Sequence, residues 1–246
     1  MQTFHLRGGP ASFLGQLRGA AVQANVVAQQ TIALRAHAFQ FAEEFFAAVP
    51  SLVALWWVPE QGTRRLLGDR RRTSEPGASF AQVNPEVAAQ LEDFVVDAVR
   101  RHAPHTVIDA YAGAGAVARR IAATGATVTA IELDREATAW SAAQLPAGSR
   151  AIAARVEDAL GAALPADVVI LNPPRTGVDV RVTAQLADAA GSVRAIIYVS
   201  CDPATLARDL TRLPGWRIAQ LTTFDMFPQT AHVETVCELV PLEAVA

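Results

Sequence analysis

From residue 84 onward, the apolar positions switch repeatedly between a period of two and a period near 3.6. TVIDAY (106–111), TVTAIEL (127–133), AIAARV (151–156), DVVILN (167–172) and AIIYVS (195–200) are short, rich in Val, Ile and Ala, and read as buried strands. Segments with helical character lie between and after them: VARRIAA, REATAWSAAQL, EDAL, VRVTAQLADAA and PATLARDLTRL. Asn84 is a good helix cap and Pro85 suits the first helical position, so a further helix begins there. Strands alternating with helices predict a parallel, doubly wound, Rossmann-like α/β sheet. WRIAQLTTF and HVETVCELV close the pattern with no helix between them, which predicts an antiparallel pair at one edge and seven strands in all.

The first 80 residues follow a different pattern. Residues 11–48 are alanine-rich, and Val26, Ile32, Leu34, Phe39, Phe41, Phe45 and Phe46 recur at helical spacing, which predicts one or two helices. LVALWWV (52–58) and TRRLLGD (63–69) flank PEQG and predict a hairpin, and TSEPGAS (73–79) reads as a loop. The change of pattern places a boundary near residues 80–84, between a small N-terminal helix-and-hairpin region (1–80) and a larger domain (81–246).

Composition narrows the class. With 246 residues, 51% hydrophobic and 18% charged, the chain has enough apolar material for a substantial core. No apolar run reaches the ~18 residues of a membrane-spanning helix. The opening MQTFHLRGGP lacks the basic-then-apolar order of a secretory signal. The only cysteines are Cys201 and Cys237. These features predict a cytoplasmic protein, monomeric, with no disulfide framework and no metal site. The net charge of −3 counts mildly against nucleic-acid binding, but Arg64, Arg65, Arg70, Arg71 and Arg72 fall within nine residues. That cluster is either a solvated hairpin or a phosphate-contacting patch.

Candidate chemistry gathers where strands end. Asp109-Ala110-Tyr111-Ala112-Gly113-Ala114-Gly115 follows the first strand of the alternating region, and its glycines let the backbone approach a ligand. Glu132 ends the next strand, where an acid accepts hydrogen bonds from ribose hydroxyls. Asp158 follows the third strand, as an acid for an adenine amino group or as a plain helix cap. No G-x-x-x-x-G-K-[ST] loop occurs, which argues against a nucleotide hydrolase. Asn172-Pro173-Pro174-Arg175 leaves the fourth strand at the edge where open α/β sheets bind ligands. An aromatic in the fourth place would suggest methylation of a planar nitrogen, but Arg175 stands there.

Cys201 follows the fifth strand and precedes the helix at Pro203, where helix N–H groups would favour a thiolate. Glu234 comes 33 positions later, beyond a further strand. A nucleophile and a base at one sheet edge suit covalent methyl transfer onto a pyrimidine ring: thiolate addition at carbon 6, methylation at carbon 5, then removal of the carbon 5 proton. Cys237, inside the last strand, reads as core.

YVSCDPATLARDL, FDMFPQTAHVE, NPPRTG and FAQVN resemble the RNA (uracil-5-)-methyltransferase family, from about residue 74 to the end. The resemblance implies the seven-stranded class I methyltransferase sheet, S-adenosyl-L-methionine as cofactor, and a uridine in tRNA or ribosomal RNA as substrate. It implies Cys201 as nucleophile and Glu234 as proton-abstracting base. Gln82, Tyr111 and Glu132 match cofactor-holding positions, and Thr230 and His232 would shape the loop carrying Glu234. Asn172 stands where the family usually has an aspartate beside the cofactor and target base, and Ala116 where an asparagine commonly continues the glycine loop. The family's N-terminal β-barrel and iron–sulfur cysteines are not seen, so RNA capture would fall to residues 1–80, a partner, or a smaller surface. A non-catalytic RNA-binding relative and a methyltransferase for another heteroaromatic ring remain as alternatives.

Overall fold

The structure, a computed structural model, describes residues 3–5, 30–35, 52–57, 65–69, 84–226, 230 and 233–242. The chain divides into two units, Met1–Ala81 and Gln82–Ala246. In the first, β1 (Thr3–His5), β2 (Gln30–Arg35), β3 (Leu52–Trp57) and β4 (Arg65–Asp69) form one sheet in that order. The first three strands are mutually parallel, and β4 returns antiparallel to β3 as the expected hairpin.

The helical expectation for residues 11–48 is corrected at β2, which is strand paired on both sides. Ile32 and Leu34 stand two apart, so they fit a strand face as well as a helix face. Thr31 and Ile32 are β-branched, and two flanking strands decide between the periods. The rest of that predicted helical stretch and the loop at 73–79 lie outside the described residues.

In the second unit, α1 (Pro85–Arg101) starts at Asn84, whose side chain accepts from the Val87 N–H at 3.3 Å. Then follow β5 (Thr106–Ala110), α2 (Ala116–Ala122), β6 (Thr127–Glu132), α3 (Arg135–Gln144), β7 (Arg150–Ala153) and α4 (Val156–Ala163). The series continues with β8 (Val168–Leu171), α5 (Val180–Asp188), β9 (Ala195–Ser200), α6 (Pro203–Leu210), β10 (Trp216–Phe224) and β11 (Glu234–Pro241). The strands form a seven-stranded sheet in the order β10-β11-β9-β8-β5-β6-β7. All neighbours are parallel except β11, which runs antiparallel to both β9 and β10.

Strand residues alternate between two cores because successive side chains point to opposite faces. Val107, Val168, Ile170, Ile197 and Val199 pack with Leu91, Val95 and Val99 of α1 and Ile121 of α2. Ile108, Val169, Leu171, Ile196 and Tyr198 pack with Leu160 of α4, Leu186 of α5 and Leu206 of α6. Each large side chain so buried contributes about 1.5–3 kcal/mol. The middle strands β8 and β9 are buried on both faces, which explains why they read as unbroken apolar runs.

β5 is flanked by β6 on one side and β8 on the other, so the strand order reverses there. The carboxyl ends of β5 and β8 therefore open a crevice, and the glycine and NPPR loops both leave from it. Among the described residues, no helix is long and apolar enough to cross a membrane.

Candidate active site

Three residues in five positions after β5 hold positive φ: Tyr111 at +62°, Gly113 at +56° and Gly115 at +77°. The chain turns sharply there and enters α2 with Gly115 as its cap. A Cβ on Gly115 would lie 2.1 Å from Ser141 Oγ on α3, whereas one on Gly113 would meet nothing within 4 Å. One glycine thus permits close packing and the other faces open space. The Gly113 N–H donates to Glu132 Oε2 at 2.9 Å, and the Asp134 N–H donates to Oε1 at 2.8 Å. Each carboxylate oxygen keeps a lone pair, so Glu132 fixes the loop and can still accept from ligand hydroxyls. Leu133, next in sequence, is 62% exposed.

Asp109 lies in β5 next to its end, is buried, and its Oδ2 has no hydrogen-bond partner. Burial pushes its carboxyl up to about 7; the Ala118 N–H opposes this and Glu132 adds to it. A buried acid beside a second acid suits a cationic ligand group. The sequence reading did not assign Asp109; its position at a buried strand end, next to a glycine loop, was the available signal. Tyr111 packs against the core on the α4–α6 side, and its hydroxyl is pushed up to about 12 by burial, then by Glu157 and Asp179. Asp158 sits in the first turn of α4 and pairs with Arg181 at 2.8 Å.

Cys201 and Glu234 are brought together by strand register. β11 runs antiparallel to β9 with Thr235 opposite Ser200, and Glu234 and Cys201 are the residues next to that terminal pair on the two segments. Cys201 is half-buried and Glu234 is 3% exposed. Burial raises the Cys201 thiol, Glu234 raises it further, and the Arg175 guanidinium opposes both. Burial likewise pushes Glu234 up to about 7, again against Arg175. Arg175 is thus the cation shared by nucleophile and base. In the sequence it stood out only for not being aromatic; its role follows from β8 lying beside β9.

The expectation that the start of α6 would stabilise a Cys201 thiolate is corrected. Asp202 caps this helix, its Oδ1 accepting from the Ala204 N–H at 2.9 Å and the Thr205 N–H at 3.0 Å. Those donors are already engaged, and the thiol moves up rather than down. Asn172 is exposed at the end of β8, and its N–H donates to the Ala110 carbonyl at 3.2 Å, joining the NPPR loop to β5. Thr230 is exposed in a bend ahead of β11, while Gln82 and His232 lie outside the described residues. Cys237 is fully buried, its thiol pushed up to about 11 by burial and then by Glu238, as a core residue would be.

The seven-stranded order, the glycine loop after the first central strand and the acid ending the next define the S-adenosylmethionine-dependent methyltransferase fold. Residues 147–240 match the tRNA (uracil-5-)-methyltransferase family. The 23S rRNA (uracil(747)-C(5))-methyltransferase RlmC of Shewanella amazonensis is 38% identical over 175 residues, which cover 68% of this chain and 45% of that protein. RlmC of Shewanella baltica is 36% identical over 171 residues, covering 66% of this chain and 43% of its own length. The crystal structure of the Pyrococcus abyssi tRNA (uracil-54, C5)-methyltransferase in complex with S-adenosyl-L-homocysteine aligns with a TM-score of 0.60 at 26% identity. That alignment covers 76% of this chain and 50% of the other. The chain spans less than half the length of the curated relatives it matches. Over the matched part, it is similar to the RNA (uracil-5-)-methyltransferase family.

Proposed function

We propose that the protein transfers a methyl group from S-adenosyl-L-methionine to carbon 5 of a uridine in tRNA or ribosomal RNA, through a covalent adduct on Cys201. The observation that carries this reading is the meeting of Cys201, Glu234 and Arg175 at one end of β8, β9 and β11. The adjacent crevice fits the cofactor. Glu132 keeps lone pairs for ribose hydroxyls, Leu133 offers a face to the purine, and the unpartnered oxygen of Asp109 complements a cationic group. Gly113, Tyr111, Asn172 and Gln82 complete the set assigned to it. When bound, the cofactor supplies an electrophilic methyl group.

The rest is done by side chains of the chain. Arg175 acts toward the Cys201 thiolate, against burial and Glu234, which hold the thiol. The thiolate adds to carbon 6 of the uracil, a carbon–sulfur bond forms, and the displaced π electrons move to the 4-carbonyl oxygen. Carbon 5 of this enolate is now nucleophilic and takes the methyl. Glu234 then removes the carbon 5 proton, the 5,6 double bond re-forms, and the thiolate leaves. An acid held near 7 accepts that proton and returns it to water easily at neutral pH. The uracil must be unstacked for both faces to be reached, so a loop or an extruded nucleotide is the expected substrate form. The proposal extends to a cytoplasmic, monomeric enzyme, which cell fractionation and gel filtration check.

The two central substitutions should fail differently. Cys201→Ser should abolish both methylation and any protein–RNA adduct. Glu234→Gln should still add cysteine to the ring but release product slowly, so a complex surviving denaturing electrophoresis should accumulate. RNA containing 5-fluorouridine should trap the unsubstituted enzyme similarly, because fluorine does not leave as a proton does. Undiminished methylation by Cys201→Ser would overturn the mechanism. Nucleoside mass spectrometry of tRNA and ribosomal RNA from a deletion strain identifies the RNA.

A further inference from the structure

We propose that Asp209 is a positioning residue of this site: it locks the loop after β8 onto α6 and thereby sets where the Arg175 guanidinium stands against Cys201. The inference rests on the reading of Cys201 as the nucleophile.

Asp209 lies near the end of α6 and has no exposed surface. A buried carboxylate stays ionised at low cost only when it is paired, and this one is paired from four directions. Its Oδ2 accepts from the Val178 N–H at 3.0 Å and from the Tyr198 hydroxyl at 2.7 Å. Its Oδ1 accepts from Arg208 at 2.8 and 3.0 Å and from Arg212 at 3.3 Å. Tyr198 sits on β9, three residues before Cys201. One carboxylate therefore joins the strand that delivers the nucleophile to the loop that delivers the cation.

The loop is seated on α6 residue by residue. The Thr205 hydroxyl donates to the Arg175 carbonyl at 3.2 Å, and Arg208 donates to the Thr176 carbonyl at 2.7 Å. Gly177 has φ +78°, and a Cβ there would lie 2.3 Å from Asp209 Oδ2 and 2.5 Å from both Arg208 and Thr205. The backbone thus lies directly against the carboxylate, and Val178 closes the set. Arg175 itself is exposed, with a long side chain that has many rotamers. What restricts it is the anchoring of its own carbonyl and of the three residues after it. The charged and titratable groups facing Asp209 are Arg208, Arg212, Tyr198 and, from the glycine loop, Tyr111. Those facing Cys201 are Glu234 and Arg175.

The test reads Cys201 directly, on the full chain without RNA or cofactor. The pH dependence of its alkylation by iodoacetamide is followed by mass spectrometry of the Cys201 peptide. Asp209→Asn keeps the shape and removes the charge. It should move the alkylation midpoint up by about one pH unit, or roughly tenfold in thiolate at neutral pH. Arg175→Gln should shift it in the same direction, and the double variant should shift no further than Arg175→Gln alone. An unchanged midpoint in Asp209→Asn, or additive shifts in the double variant, would overturn the proposal. Thr205→Val, which removes only the bond to the Arg175 carbonyl, and Gly177→Ala carry the test if Asp209→Asn fails to fold. Both should shift the midpoint upward by less, and no shift in either would count against Asp209. A failure of the methylation reading looks different: Cys201→Ser would still methylate RNA, while the alkylation profiles would be unaffected by that outcome.

Discussion

At the residue scale, Arg175 acts on the charge of Glu234, and the consequence is a pH profile. A carboxyl raised from 4.5 to about 7 holds its proton in the fold at pH values where the unfolded chain has lost it. Its contribution to stability is therefore present below about 4.5 and is lost as the pH rises toward 7. Glu234→Gln removes this penalty, so it should match the unsubstituted protein near pH 4 and exceed it at pH 8, by on the order of 2 kcal/mol in urea unfolding. The proposed mechanism needs the ionised form, so product release should rise with pH through an acidic limb near 7. Arg175 holds Glu234 down, so Arg175→Gln should move that limb upward. A limb that stays in place, measured by single-turnover release, would take Arg175 out of contact with the base.

At the scale of elements, the glycine loop and the strand starts are held by different devices. Gly115 combines φ +77° with a Cβ position 2.1 Å from Ser141 Oγ. Gly115→Ala should therefore cost more than the ~1–2 kcal/mol of left-handed strain alone. Gly115→Ala with Ser141→Gly should recover the steric part only, as thermal denaturation of the pair would show. Asp167 works at the opposite end of the sheet, accepting from the His105 and Thr106 N–H groups at 2.6 and 2.9 Å and pairing with Arg194. Partial burial pushes its carboxyl up, but those partners outweigh it and hold it near about 2. Its stabilisation is present above the ordinary carboxylate range and is lost as the pH falls toward 2, so Asp167→Ala should cost about 1–2 kcal/mol at pH 7 and little at pH 2. The parallel strands were legible because both their faces meet helices, which makes β8 and β9 unbroken apolar runs. β2 was not, because Ile32 and Leu34 satisfy two periods and only the neighbouring strands choose between them. Cys201 and Glu234 were visible as chemistry, but their adjacency depends on the β9–β11 register, and the role of Arg175 depends on β8 lying beside β9. The Asp202 cap could be read from SCDP. That it would take the N–H groups the thiolate was expected to use became clear only from the hydrogen bonds themselves.

At the scale of the whole molecule, the proposed RNA binding has to be reconciled with a net charge of −3. Phosphate attraction depends on local rather than net charge, because screening confines it to about 8–10 Å at physiological salt. The densest positive stretch is Arg64, Arg65, Arg70, Arg71 and Arg72. Arg65 opens β4 in the N-terminal unit, and Arg64, Arg70, Arg71 and Arg72 lie outside the described residues. If these side chains neutralise phosphates, each contact releases counterions and adds about 0.7 to 0.9 to the slope of log affinity against log salt. Replacing Arg70 and Arg71 by glutamine should then lower that slope by about two or less and weaken binding most at low salt. Fluorescence anisotropy with an RNA stem-loop at several salt concentrations measures both. Surface substitutions away from packed contacts move stability little, within about 0.5 kcal/mol, so an unchanged melting temperature would separate lost binding from unfolding. An unchanged slope would make the cluster a solvated face and move RNA capture to the domain that carries Cys201.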